Sequence, residues 1–323
     1  MKINTILSLS AVFLASVATA VMDNDPNKID TCIMPGVVAY TFDDGPGIYN
    51  DKLLAILKAK NVRATFFMVG QVVGQTPGQS ASLKKILDAG HQLASHTYTH
   101  SNLDAMSEDA MKSEISRTSD VMFQYSGIRP AYMRAPEGRC GPACTKVMTE
   151  LGLVISHWNM DTNDWRHKGE TALVATNKSM EEIVTKFSKA DRNTDSFILL
   201  QHEIHQFSVD YLADRVIDEV IKKGFRFVTM EECVGKPAYL PGSVVPPVVP
   251  SATPSGAPSG APSGVVPAPS GSGVPSNGAV PSGSSSAGPN STNSPIKDKS
   301  GAGFLQASAW AMGMAVAVAY ALI

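Results

Sequence analysis

Between residues 30 and 239 the chain alternates short apolar runs with longer amphipathic stretches about seven times. No other feature narrows its fold as much. Runs at 37–40, 63–69, 91–95, 131–133, 154–158, 197–200 and 225–228 read as strands, being short, apolar and bounded by turn residues. Stretches at 51–60, 82–89, 107–125, 144–151, 181–189 and 209–223 carry apolar residues at helical spacing. Asn50 and Ser107 are the expected N-caps of the first and the longest of these helices. Strands that alternate with helices imply a parallel sheet with crossover helices, either an open doubly wound sheet or a barrel. Asp43-Asp44, His96, Arg134, Asp161 and His202 each follow the C-terminal end of a predicted strand. In a barrel such loops converge on one mouth. The expected fold class is therefore α/β, a distorted (β/α) barrel of about seven parallel strands, and its length suits a single domain.

The flanks have a different character. Residues 1–20 begin with Met1-Lys2, continue with an apolar run and end on Ala18-Thr19-Ala20, the pattern of a secretory signal peptide. Residues 241–300 are Pro, Ser, Gly, Ala and Val in near-repeats, too poor in large apolar side chains to offset chain entropy. They are expected to form a disordered, O-glycosylated stalk. Residues 304–323 are apolar to the last position, with no Lys or Arg beyond. Small residues and a polar spacer precede them, which is the pattern of a glycosylphosphatidylinositol (GPI) anchor signal, a transmembrane helix being the alternative. A net charge of −2 and the lack of any basic run argue against nucleic-acid binding.

All four cysteines lie in the globular stretch. A secreted chain with an even count is expected to form disulfides, here in any of three pairings. Cys32–Cys233 with Cys140–Cys144 is favoured, since the first bond would close a very long loop. A cysteine-based zinc site is the alternative, poorly served by a spacing with no second Cys-x-x-Cys half.

The chemistry concentrates in Thr41-Phe42-Asp43-Asp44-Gly45-Pro46 and His96-Thr97-Tyr98-Thr99-His100. Two adjacent carboxylates at a strand end are costly unless a cation or a reaction uses them. Two histidines four apart, placed on a helical turn, share one face and suit a single metal ion. Two His and one carboxylate leave a coordination position open for water. The Glu of a His-Glu-x-x-His protease is missing.

These two stretches resemble the first two signatures of the polysaccharide deacetylases, carbohydrate esterase family 4, also called the NodB-homology domain. Arg134-Ala135-Pro136-Glu137-Gly138, Asp161-Thr162-Asn163-Asp164-Trp165 and Leu200-Gln201-His202 resemble the third, fourth and fifth, in order. The resemblance spans the whole globular stretch and implies the distorted barrel independently. It implies that Asp44, His96 and His100 hold one divalent metal, usually zinc, with cobalt as a substitute. It further implies that Asp43 is the general base, His202 the general acid, and that Arg134 orients Asp43 while Asp161 orients His202. Trp165 and Leu200 would line the acetyl pocket, the Glu137 N–H would help hold the oxyanion, and Tyr98 would tune the substrate cleft. Glu137 and Tyr98 depart from the residues often found at those positions. His91 and His157 are read as structural, and His167 and His205 as rim residues within reach of substrate. Asn177 and Asn290 head N-glycosylation sequons.

Among the family's substrates, a tethered, stalked enzyme at a eukaryotic cell surface best fits a fungal chitin deacetylase, monomeric and attached to the plasma membrane or wall. An O-deacetylase of acetylated xylan or another glycan, and an inactive wall-glycan-binding protein, are the alternatives.

Overall fold

The computed structural model describes residues 28–244. The signal segment, the stalk, the C-terminal apolar run and Asn290 all lie outside them. Among the described residues no helix is long and apolar enough to cross a membrane.

Nine strands form one sheet: β1 (Lys28–Ile29), β2 (Val37–Gly45), β3 (Thr65–Met68), β4 (Gln92–Ser95), β5 (Tyr132–Met133), β6 (Val154–Ser156), β7 (Met160–Asp161), β8 (Phe197–His202) and β9 (Arg226–Val228). Every strand pairing is parallel, in the order β1-β6-β5-β4-β3-β2-β8-β7 with β9 also against β2. No ladder joins β1 to β7 among the described residues, so the barrel is incomplete. The seven expected strands are all present. The two additional ones, β1 and β7, are two residues long and each joins one apolar to one charged residue, so no apolar run marks them.

Among the described residues eight α-helices connect and cover the sheet: α1 (Asn50–Ala59), α2 (Gly70–Gln75), α3 (Ser80–Asp88), α4 (Glu108–Ser126), α5 (Pro142–Glu150), α6 (Ala172–Ser188), α7 (Ala213–Lys222) and α8 (Met230–Val234). Ser107 caps α4, accepting from the Ala110 N–H, and Gly127 ends it in the left-handed conformation. Asn50 does not cap α1. It is the first helical residue, and its side-chain amide instead donates to Glu203 across the structure. Helix α6 starts well before residue 181, and α7 is preceded by a π-helical turn at Ser208–Leu212.

Strand parity explains how this scaffold collects polar groups at one end. Val37 and Ala39 of β2 pack with Phe67, Ala94, Tyr132 and Ile198 in one buried cluster. Their neighbours Val38, Tyr40 and Phe42 pack with Phe66, Leu199 and the covering helices in another. Side chains alternate between faces along a strand. Continuing the first set by twos leads to Thr41 and Asp43 from β2, His96 beyond β4, Arg134 beyond β5 and His202 at the end of β8. The face that is apolar in mid-strand thus becomes the polar floor of the mouth.

Two disulfides, Cys32–Cys233 and Cys140–Cys144, realise the favoured pairing, and no described cysteine is free. The first fastens the segment after β1 to α8. Thr229 and Glu232 form a reciprocal capping box at the start of α8.

Candidate active site and metal centre

Asp43 and His202 are partners across the β2–β8 ladder, so the expected base and acid sit side by side on adjacent strands. Asp43 is buried, and its Oδ1 accepts from Arg134 Nη1 at 2.7 Å. The same nitrogen reaches Thr41 Oγ1 at 2.8 Å, and Nη2 donates to Ser156 Oγ and to the His157 carbonyl, both at 3.1 Å. The guanidinium carbon lies 4.2 Å from the centre of the Phe67 ring. Arg134 has no solvent exposure, and burial pulls its pKa down while Asp43 supports its charge. A planar fork with several donors is suited to this enclosed place in a way a lysine is not.

Asp44, His96 and His100 bring one oxygen and two nitrogens within 4.8 Å of one another. Asp44 Oδ1 is 3.4 Å from His96 Nε2 and 3.1 Å from His100 Nε2. His96 Nδ1 lies 2.8 Å from the Arg134 carbonyl, which can only accept, so that nitrogen carries the proton. The Nε2 lone pair therefore faces Asp44, as metal-ligating imidazoles held by a backbone carbonyl do. Asp44 Oδ1 is buried without a hydrogen-bond partner. An orphaned buried oxygen beside two imidazole nitrogens fits a divalent cation.

The His96–His100 segment is not a helical turn, contrary to expectation. It is a loop with Thr97 at φ 64° and His100 at φ 56°. Its rings still meet, 4.9 Å apart at their centres. Left-handed backbone at a β-branched residue is unusual and costs roughly 1–3 kcal/mol per residue, so the surroundings must impose it. Asp44 is likewise left-handed, at φ 70°.

His202 is held by Asp164, not by Asp161. Asp164 Oδ1 accepts from His202 Nδ1 at 2.7 Å, and its Oδ2 accepts from the His202 N–H at 2.9 Å and from Ser208 Oγ at 2.7 Å. Asp161 instead accepts from the Asn163 N–H at 2.7 Å. The reason is local: Asn163 is left-handed at φ 51° and a 3₁₀ turn starts at Asp164, turning the second carboxylate inward to full burial. Burial lowers the His202 pKa, but the bond to Asp164, its charge, and the charges of Asp44 and Asp43 raise it to about 9. Asp161 moves the other way, pushed up mainly by burial.

A cleft of about 540 Å³ adjoins this centre, lined by Asp44, Val69, Gln71, His100 and Ile204 among others. Trp165 is half-exposed beside Asp164, while Leu200 is buried in β8. Glu137 is left-handed at φ 55°, and its carboxylate meets Arg139 Nε at 2.9 Å on the surface. The Tyr98 hydroxyl accepts from Nε2 of Gln75, a residue that lines the cleft, at 3.4 Å. Arg117 covers the Tyr98 ring at 3.7 Å, and a Cβ on Gly70 would come within 2.7 Å of it, so it packs between α2 and α4. His91 is buried and accepts from the Ala64 N–H, and burial lowers its pKa to about 4. His157 stacks on Trp158, His167 pairs with Glu170, and His205 lines a second cleft beside Ile204. Asn177 is exposed in the middle of α6, where its side-chain oxygen accepts from Arg215, and the Ser179 of its sequon is buried.

Glu203 escaped the sequence reading. It is fully buried, accepts from Asn50 Nδ2 at 2.8 Å, and carries a pKa raised to about 7, chiefly by burial. Its Oε1 would lie 1.6 Å from a Cβ added at Gly45, so only glycine lets the Asp43-Asp44 turn pass over it. A lone carboxylate next to His202 offers no periodic signal, and only the fold shows that it lies under the turn.

The polysaccharide deacetylase family model matches residues 32–156. A chitin deacetylase from Colletotrichum lindemuthianum is 35% identical over 210 residues, covering 63% of this chain and 82% of its own length. A chitin deacetylase from Arthroderma benhamiae is 33% identical over 210 residues, covering 65% of this chain and 54% of its own length. The chain thus spans only about half of that second relative. The solved structure of the Colletotrichum lindemuthianum enzyme superposes with a TM-score of 0.62 at 33% identity, covering 65% of this chain and 92% of that one. On its sequence, its fold and the residues at its mouth, the chain belongs to the polysaccharide deacetylase family.

Proposed function

We propose that this protein is a metal-dependent deacetylase that hydrolyses the N-acetyl groups of chitin or chitin oligomers, leaving free amines and releasing acetate. One observation carries the reading: three converging donors, Asp44, His96 and His100, lie beside a buried carboxylate and a carboxylate-supported histidine on neighbouring strands. The relatives named for chitin deacetylation support the substrate class.

Each residue has a distinct task in this reading. Arg134 engages Asp43 Oδ1, leaving Oδ2 free to take the proton of the attacking water. A zinc or cobalt ion held by Asp44, His96 and His100 would polarise the acetyl carbonyl and make that water more acidic. The Glu137 N–H helps bear the negative charge that develops on the carbonyl oxygen. His202, kept protonated by Asp164, passes its proton to the leaving nitrogen as the C–N bond breaks. An amine leaves poorly without that proton, so acid and base must coexist in opposite charge states, which their separate partners Arg134 and Asp164 allow. Trp165 and Leu200 border the acetyl group.

The flanking segments are read as a secretion signal, a stalk and a membrane-anchor signal, giving a monomeric enzyme displayed toward wall polymer. Two disulfides agree with an oxidising compartment.

The test is acetate release from N-acetylglucosamine oligomers by protein made in an oxidising secretory host. Release should vanish with chelator, return with zinc or cobalt, and be absent in Asp43→Asn. Release from acetylated xylan alone would keep the chemistry and change the substrate. Release that persists through chelation would sink the metal reading.

A further inference from the structure

The loop that carries both candidate histidine ligands is gripped from behind by a single carboxylate. Glu114, buried on α4, presents Oε2 to two successive backbone N–H groups, Tyr98 at 2.9 Å and Thr99 at 2.7 Å. These residues lie between His96 and His100. On the other side the first two N–H groups of α2 take the loop's carbonyls: Gly70 donates to Thr97 at 3.0 Å and Gln71 to Tyr98 at 2.9 Å. Thr118, one turn beyond Glu114, is turned back onto the Glu114 carbonyl at 2.7 Å and crowds Gly70 from the same helix. Arg117 closes the assembly over Tyr98.

This grip answers how Thr97 and His100 stay left-handed. An unsupported five-residue loop would relax toward ordinary dihedrals, and a relaxed His100 would no longer face Asp44. Bonds from backbone N–H groups to a carboxylate are among the stronger ones, and here the carboxylate is buried. We propose that Glu114 is a positioning residue for the metal centre: by clamping the Tyr98 and Thr99 amides it presets the His96–His100 geometry, and so sets how tightly the site holds its ion. The inference rests on the metal reading above and adds a residue outside the family signatures quoted, 14 residues past His100 in sequence.

Zinc affinity of the purified full protein, measured by competition with a chromophoric chelator, tests it without reference to activity. Removing a group that orients a ligand typically weakens metal binding by about 10–100-fold, and Glu114→Ala should fall in that range. Glu114→Gln keeps an oxygen able to accept both amides and should stay within about three-fold of the parent, whereas Glu114→Asp, one methylene short, should fall between Gln and Ala. Ile115→Ala, the neighbouring buried residue on α4, serves as the control for general loosening of that helix and should leave affinity unchanged. Equal affinity in Glu114→Ala and the parent would overturn the proposal, as would an equal loss in Ile115→Ala. If Glu114→Ala does not fold, Asp binding zinc as well as Gln overturns it. A parent protein with no zinc site, matched by His100→Ala, would instead bring down the metal reading itself and the clamp with it.

Discussion

Replacing Asp164 by Asn should move the basic limb of the pH–rate profile to lower pH. In the native arrangement His202 is lifted from the ordinary imidazole value of 6.5 to about 9 against the effect of burial. At about 1.4 kcal/mol per pKa unit this favours the imidazolium by roughly 3 kcal/mol. The raising influences are the Asp164 bond, the Asp164 charge, and the charges of Asp44 and Asp43. A cation between Asp44 and the two histidines offsets Asp44, which leaves Asp164 as the main support. Asn keeps the shape but removes the charge, and its amide would oppose the N–H donors at His202. The acid must be protonated to work, so activity is lost as pH rises through the His202 pKa. In Asp164→Asn the loss should begin at least one unit lower, and kcat at pH 8 should fall about 10²-fold, the lower part of the range for general acid catalysis. The same linkage acts on stability. A pKa raised on folding contributes stability fully present below about 6.5 and lost as pH climbs through about 9. The parent should therefore lose Tm between pH 7 and 9.5 that the variant does not. The assays are kcat from pH 5 to 10 on chitin oligomers and thermal melts over the same span. A basic limb that stays in place in Asp164→Asn would refute the assignment, and a shift produced by Asp161→Asn alone would return the role to Asp161.

Arg134→Met should destabilise the protein by about 3–5 kcal/mol by leaving Asp43 buried and unpaired, and the double change Arg134→Met with Asp43→Asn should recover more than half of that in denaturant titrations. Full additivity of the two changes would contradict the pairing. Opening Cys32–Cys233 with serines, where the partners are 201 residues apart, should cost about 5 kcal/mol in the chain-entropy model, against about 2 kcal/mol for Cys140–Cys144, which are 4 apart. Equal losses in thermal melts would show that constraint of the unfolded chain is not the source.

Much of the architecture could be read directly because the signals are local and repetitive. Each of the seven expected strands announces itself as an apolar run, and the alternation with helices leaves few parallel topologies. The placement of Asp43, His96, Arg134 and His202 at strand ends follows from the same reading, as does the choice of donors, since residue chemistry does not depend on the fold. What local pattern missed was short: the two-residue strands β1 and β7, the six-residue α2 and the five-residue α8. Helix α6 was placed too late because its first turns, from Ala172, present Leu173 and Val174 to solvent and so hide the amphipathic stripe.

The sequence by itself therefore determined which chemical groups this protein has and, through their places just after strand ends, that they gather at one end of a parallel sheet. Only the tertiary structure decided which group serves which. Asp161 and Asp164 are chemically equal and three residues apart, and a single left-handed residue at Asn163 gives His202 to the second. His96 and His100 meet at the spacing a helix would supply, yet they do so through a left-handed loop that Glu114 and the start of α2 hold in place. The Tyr98 ring is held by that same loop between α2 and α4, with its hydroxyl on Gln75 of the cleft wall. At Asn163 the deciding dihedral belongs to a local turn, whereas at Thr97 and His100 it is held by partners distant in sequence, of which the local chain carries no record.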